Sequence, residues 1–105
     1  ARAAFLQALE LIRDLDEESG TGFTDICNEL SICLMELGEL AESRRFLILA
    51  LEREPENTKV ISNLGIVALR AGDREEAAGF FRTVLEIDPR DALAKDFLAQ
   101  AEGGA

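Results

Sequence analysis

The stretch Asn63-Leu64-Gly65-Ile66-Val67-Ala68-Leu69-Arg70-Ala71-Gly72-Asp73, continuing Arg74-Glu75-Glu76-Ala77-Ala78-Gly79-Phe80-Phe81-Arg82-Thr83-Val84-Leu85-Glu86-Ile87-Asp88-Pro89, decides the fold. Moved back by 34 positions, much of it recurs as Leu30, Gly38-Glu39, Phe46, Leu51-Glu52 and Pro55. A fixed offset of this size is the mark of stacked supersecondary units rather than one irregular domain.

Outward from this stretch, the chain reads as helices separated by breaks. Residues 1–18 are expected to be helical, since Ala1, Phe5, Ala8, Leu9 and Ile12 recur at three- and four-residue steps. Ser19-Gly20-Thr21-Gly22 interrupts the pattern. Thr24 is positioned to cap a second helix with Ile26, Cys27, Leu30, Leu34 and Leu37 inward. Gly38 is expected to end it in the left-handed region. A third helix, using Ala41, Phe46, Leu47, Ala50 and Leu51, must stop before Pro55. The fourth starts near Asn57 or Thr58, turns Ile61, Leu64, Gly65, Ala68 and Leu69 inward, and ends at Gly72. Asp73 and Glu76 have the spacing of a capping box for the fifth helix, whose apolar side is Ala77, Phe80, Phe81, Val84 and Leu85. Asp91 can cap a sixth, about 92–101, with Leu93, Phe97, Leu98 and Ala101 apolar. Short turns with no strand signal between them imply antiparallel neighbouring helices.

At 105 residues the chain has the length of one domain. It lacks Trp and Tyr, so bulk comes from Leu, Ile, Ala and six Phe. The formal charge is −10. No basic stripe of the kind that displaces counterions is visible, so neither nucleic acid nor an anionic membrane is expected as a partner. No apolar run is long enough to span a bilayer. The sequence lacks an initiator Met and starts inside a helical pattern, which reads as a piece of something longer. Cys27 and Cys33 fall on different faces of one helix, too far apart for a disulfide. With no His and no further Cys there is no zinc set, and both thiols are expected to be small, buried and reduced. Reduced cysteines favour the cytoplasm, although the compartment itself is not encoded here. No nucleophile has a visible base partner, and no phosphate loop or cofactor motif appears, so no catalytic residue, metal or cofactor is assigned.

These residues resemble the tetratricopeptide repeat family, whose unit is an antiparallel helix pair in 34 residues. Its pattern is Trp-x-x-Leu-Gly-x-x-Tyr, then Ala-x-x-x-Phe, then a closing Pro. Leu64-Gly65, Ala77, Phe81 and Pro89 match it. Ile61 stands where the family favours Trp, and Ala68 where it favours Tyr. The preceding unit has Ser31 for the Gly, Ser43 for the Ala and Leu47 for the Phe. The resemblance implies an all-α fold of about six helices, in which antiparallel hairpins stack as a short right-handed α-solenoid. Its divisions would be a single domain, 1–105. Residues 1–18 would be the second helix of a truncated repeat, 24–57 and 58–91 full repeats, and 92–102 a capping helix. Asp16 to Phe23 would be an insertion. A plain helical bundle is the alternative.

The resemblance also implies a function. First helices of successive units line a concave groove where peptides bind. By register this brings forward Asn28, Ile32 and Met35 from the second helix, with Asp25, Glu29 and Glu36 beside them. The fourth helix contributes Lys59, Ser62, Asn63, Ile66 and Arg70, along with Leu69, and the sixth Asp96 and Gln100. Asn63 can bond a peptide backbone in both directions, or serve as a bridging amide on the helix surface. Ile32, Met35, Ile66 and Leu69 would floor the groove or pack on a neighbouring helix. Some family members clamp a C-terminal carboxylate with Lys, Arg and Asn. Here Asp25, Glu29 and Glu36 surround the groove and the repeated basic set is missing. The expected function is a non-catalytic protein–protein interaction module with a protein or peptide partner. The alternatives are a structural spacer, a homo-oligomer formed through the truncated solenoid ends, or an accessory domain of an enzyme.

Overall fold

The computed structural model describes residues 6–12, 14 and 22–103. Among these the chain is helical at 6–12 and 14 (α1), then Phe23–Glu36 (α2), Leu40–Arg53 (α3), Thr58–Arg70 (α4), Arg74–Ile87 (α5) and Ala92–Ala101 (α6). No strand occurs among the described residues. Of the expected first stripe, Ala1 and Phe5 lie outside them, as do residues 15–21 of the helix end, loop and insertion. Ile12 is buried, and Ala8 and Leu9 are half-buried against the core of the first unit.

The turns follow from local chemistry and repeat at the 34-residue offset. Gly38 and Gly72 have φ of +79° and +85°, a region where a Cβ is costly. After α2 the Gly38 amide donates to Met35 O and the Glu39 amide to Leu34 O. After α4 the Gly72 amide donates to Leu69 O and the Asp73 amide to Ala68 O. Each is a Schellman motif, which satisfies the helix's last carbonyls and reverses the chain. At the other junctions Pro55 and Pro89 forbid continuation, and Asn57 and Asp91 start the next helix. Asn57 Oδ1 accepts from the Lys59 and Val60 amides, and Asp91 Oδ1 from the Ala94 amide.

Helix α2 packs on α3, α4 on α5 and α5 on α6, while α3 on α4 joins the two units. The helix α4 is wrapped on both sides. Val60, Leu64 and Val67 join the core shared with α2 and α3, whereas Ile61 and Ala68 join the core shared with α5 and α6. That second face explains why Val60 and Val67, absent from the expected inward set, are almost fully buried.

Each hairpin closes around one small residue. In the second unit Phe81 lies directly over Gly65, and a Cβ there would come within 2.5 Å of the ring. The ring is in turn stacked on Phe97, with centroids 5.2 Å apart and planes 14° from parallel. In the first unit Ser31 and Leu47 hold the equivalent places. The larger Ser goes with the smaller Leu, and both are fully buried. Ser43, in place of Ala77, donates its hydroxyl to Ser31 O at 2.8 Å and so ties α3 to α2.

Several sequence expectations are corrected. Thr24 does not cap α2. Gly22 precedes the helix, and Thr24 lies buried in its first turn, where its hydroxyl bonds the Glu54 carboxylate. Phe23, the last residue before the expected repeat, opens α2, is buried, and lies under the Arg53 guanidinium 4.1 Å from the ring centre. Leu37 is exposed rather than inward, at 75%, and the apolar Leu93 is 68% exposed. Cys27 is buried but Cys33 is exposed. The capping box is only half formed. Asp73 Oδ1 accepts from the Glu76 amide, while the Glu76 carboxylate pairs with Arg44 across the unit boundary.

Candidate functional site

A depression of about 370 Å³ runs across α2, α4 and α6, the helices that open each unit. Its far wall is Asn28, Glu29 and Ile32 of α2. Its centre is Thr58, Lys59, Ser62, Asn63 and Ile66 of α4. Leu93 and Phe97 of α6, with the capping Asp91, close it. The helical pitch produces this grouping. Residues 59, 62, 63 and 66 share one face of α4, and the faces carrying Ile61 and Leu64 are used by the two cores.

Six of the eight expected groove residues therefore come together: Asn28, Ile32, Lys59, Ser62, Asn63 and Ile66. Met35 and Arg70 are placed elsewhere. Met35 is buried in the first core. Arg70 reaches back across the unit boundary and donates to Met35 O at 3.3 Å, a cation on the last turn of α2. Met35 packs in the core that α4 shares with α2 and α3, and Arg70 ties α4 to α2. Leu93, Phe97 and Asp91 were not expected to line the groove. Their signal was present in the repeat, since Leu93 and Phe97 stand 34 positions after Lys59 and Asn63. The candidates on α6 were Asp96 and Gln100 instead, and neither lines it.

The polar centre of the groove is an amide pair. Asn63 Nδ2 donates to Asn28 Oδ1 at 2.7 Å, bridging α4 to α2. Asn63 Oδ1, an acceptor, and the Asn28 Nδ2 amino group, a donor, remain, and together they offer both kinds of bond that a peptide unit needs. Around them the surface is apolar: Ile32 is 37% exposed, Leu93 largely exposed, and Ile66 and Phe97 half-buried. Charge is sparse, with Lys59 the single basic side chain among the lining residues, against Glu29 and Asp91.

Burial pushes the Cys27 thiol up to about 11, opposed by the nearby Arg53 charge. Glu54 is held below the usual carboxylate range by hydrogen bonds from Thr24 and Asn57. Neither residue lines the groove. Among the described residues no cluster of His, Cys, Asp and Glu could hold a metal ion, and no helix is long and apolar enough to cross a membrane.

An array of antiparallel helix pairs, with hairpins closed by small–large contacts and first helices lining a shared groove, defines a helical-repeat protein. The repeat profile of one family fits it. Tetratricopeptide repeat profiles match residues 24–57 and residues 47–101, the latter just over half of the sequence. The chain belongs to the tetratricopeptide repeat family. It is 29% identical over 100 residues to an FK506-binding protein-like protein of Mus musculus, and 27% to that of Rattus norvegicus. In each case the match covers 95% of this chain but 29% of the relative's length. Among solved structures, the first such domain of Spaghetti (RPAP3), bound to the HSP90 peptide SRMEEVD, superimposes with a TM-score of 0.76. That match is 18% identical and covers 98% of this chain and 81% of the other.

Proposed function

We propose that this chain is a protein-interaction module that holds a short peptide segment of its partner in the groove of α2, α4 and α6. The observation that carries the reading is the Asn28–Asn63 pair, set in the middle of an open apolar depression. An amide pair that keeps the Asn63 Oδ1 acceptor and the Asn28 Nδ2 amino group can hold a peptide bond in register, and the apolar rim can bury alternate side chains. A rigid stack that presents this surface ready-made loses little entropy on binding. The Spaghetti domain carries its HSP90 peptide on the same fold, which supports a peptide as the kind of ligand.

The test is selection of peptides from a displayed library on the 105-residue chain, followed by affinity measurement on variants. Leu93→Ser is the sharpest probe, because Leu93 is 68% exposed and the fold does not depend on it. Burial of a leucine side chain contributes about 1.5–3 kcal/mol, so its loss should weaken binding about tenfold or more. Selected peptides that bind Leu93→Ser and Asn63→Ala as tightly as the parent would refute the groove reading.

A further inference from the structure

The groove's charge specifies its ligand further. We infer that it takes a peptide segment whose apolar residues are interspersed with lysine or arginine, and that it disfavours acidic tails. This rests on the peptide-groove reading above and concerns the same site. The lining carries two carboxylates, Glu29 and Asp91, against Lys59. Asp91 Oδ1 is already engaged by the Ala94 amide, so Glu29 is the carboxylate whose side chain has no such bond. Asp25, one turn before Glu29 on α2, is exposed and adds to the acidic approach. Arg70 is turned away to Met35 O, and Arg44 and Arg82 are committed to ion pairs with Glu76 and Glu102. The whole chain at −10 produces a field of the same sign, which slows acidic ligands and draws basic ones. On α6 the lining residues are Leu93 and Phe97, neither of them a cation. A row of acidic side chains in the ligand would meet an apolar wall and an acidic rim, leaving its own charges desolvated and unpaired.

Three labelled, C-terminally amidated peptides of equal length test this by fluorescence anisotropy on the full chain. They are SRMEEVD, the ligand of the Spaghetti domain, SRMKKVK, with its three acidic residues replaced by lysine, and SRMQQVN, with them replaced by the corresponding amides. The expected order is SRMKKVK tightest, SRMQQVN next and SRMEEVD weakest. The first and last should differ about tenfold at low salt, shrinking as ionic strength rises. Glu29→Gln should reduce that ratio about threefold, weakening SRMKKVK more than SRMQQVN. If SRMEEVD binds more tightly than SRMKKVK, or if all three bind alike, the charge inference is overturned. In that second case the groove reading survives provided Leu93→Ser weakens all three equally. If none of the three binds measurably, the charge inference falls on its own, because the library selection still judges the groove.

Discussion

The contact between Gly65 and Phe81 gives the sharpest quantitative test of how this chain is built. An ideal Cβ on Gly65 would lie 2.5 Å from Phe81 Cζ and 2.8 Å from each Cε. Carbon atoms in contact sit about 3.5–4.0 Å apart, so the ring would have to retreat by about 1 Å. It has little room, being 0% exposed and stacked on Phe97. Overpacking of this kind costs about 1–3 kcal/mol, and alanine's better helix propensity returns about 1 kcal/mol. The Gly65→Ala chain should therefore lose about 0–2 kcal/mol net. Phe81→Leu alone leaves part of the ring's volume empty. Full truncation of a buried Phe costs about 3–5 kcal/mol, so the partial one should cost about 1–2 kcal/mol. Together the two changes imitate the Ser31 and Leu47 arrangement already present in the first unit. The added methyl then occupies space the ring vacated, and the double variant should be at least about 1 kcal/mol more stable than the sum of the singles predicts. Urea denaturation followed by far-UV circular dichroism measures all four corners of the cycle. Additivity within about 0.5 kcal/mol would refute the reasoning, as would a Gly65→Ala chain that is more stable than the parent.

Two other glycines provide contrasting outcomes in the same assay. Gly72→Ala should cost about 1–2 kcal/mol through its φ of +85° alone, since nothing lies within 4 Å of a Cβ there. Gly79→Ala, in open space on α5, should gain about 0.5–1 kcal/mol. In native protein at pH 8 a thiol reagent should label exposed Cys33 and spare Cys27, since burial and a pKa of about 11 leave about one thousandth of the latter as thiolate. Equal labelling rates would contradict the placement. Because the folded pKa of Glu54 is depressed, its contribution is present above the unfolded carboxylate value and is lost as pH falls through the folded one. Thr24→Val should flatten that acid limb of the stability profile, and an unchanged limb would remove Thr24 as the cause. Asn57→Ala, which frees the Lys59 and Val60 amides, should cost about 1 kcal/mol in a thermal melt.

The helices and their ends were legible because their signals are local. Pro55, Pro89, Gly38, Gly72, Asn57 and Asp91 each act within a few residues of their own position, and each marks a boundary in the structure. The choice of buried face was less legible. A single apolar stripe suits a helix packed on one side, but α4 is packed on two. The stripe therefore left out Val60 and Val67, and the same simplification put Leu37 inward and Met35 outward. Phe23 was hidden for another reason: it packs into the first core and under Arg53, thirty residues later, with no periodic signal between them. The groove was largely legible through the repeat register. It faded at α6, where no second helix of a matched unit is described to confirm the register, although the offset from Lys59 and Asn63 led directly to Leu93 and Phe97.

The bonds that hold the units in register and the atoms offered to a ligand belong partly to the same side chains. Asn63 bridges α4 to α2 through Asn28, and Arg70 bridges the same two helices through Met35 O. Both run diagonally, 35 residues apart rather than 34, so each joins a position in one unit to the neighbour of its equivalent in the other. A peptide bonded to the free ends of the Asn pair would thus press on the joint between units as well as on the groove. Its binding should stiffen that joint, and the stability it adds should fall on the α2–α4 contact. In the proposed complex Asn63→Ala would remove a ligand contact and a joint together, whereas Leu93→Ser would remove a ligand contact alone. Arg70→Ala weakens the joint while leaving the lining intact. If Arg70→Ala lowers peptide affinity despite touching no ligand, the groove works as a property of the stacked array rather than of any one helix. If affinity holds, the Asn28–Asn63 bridge is enough to keep the two helices in place.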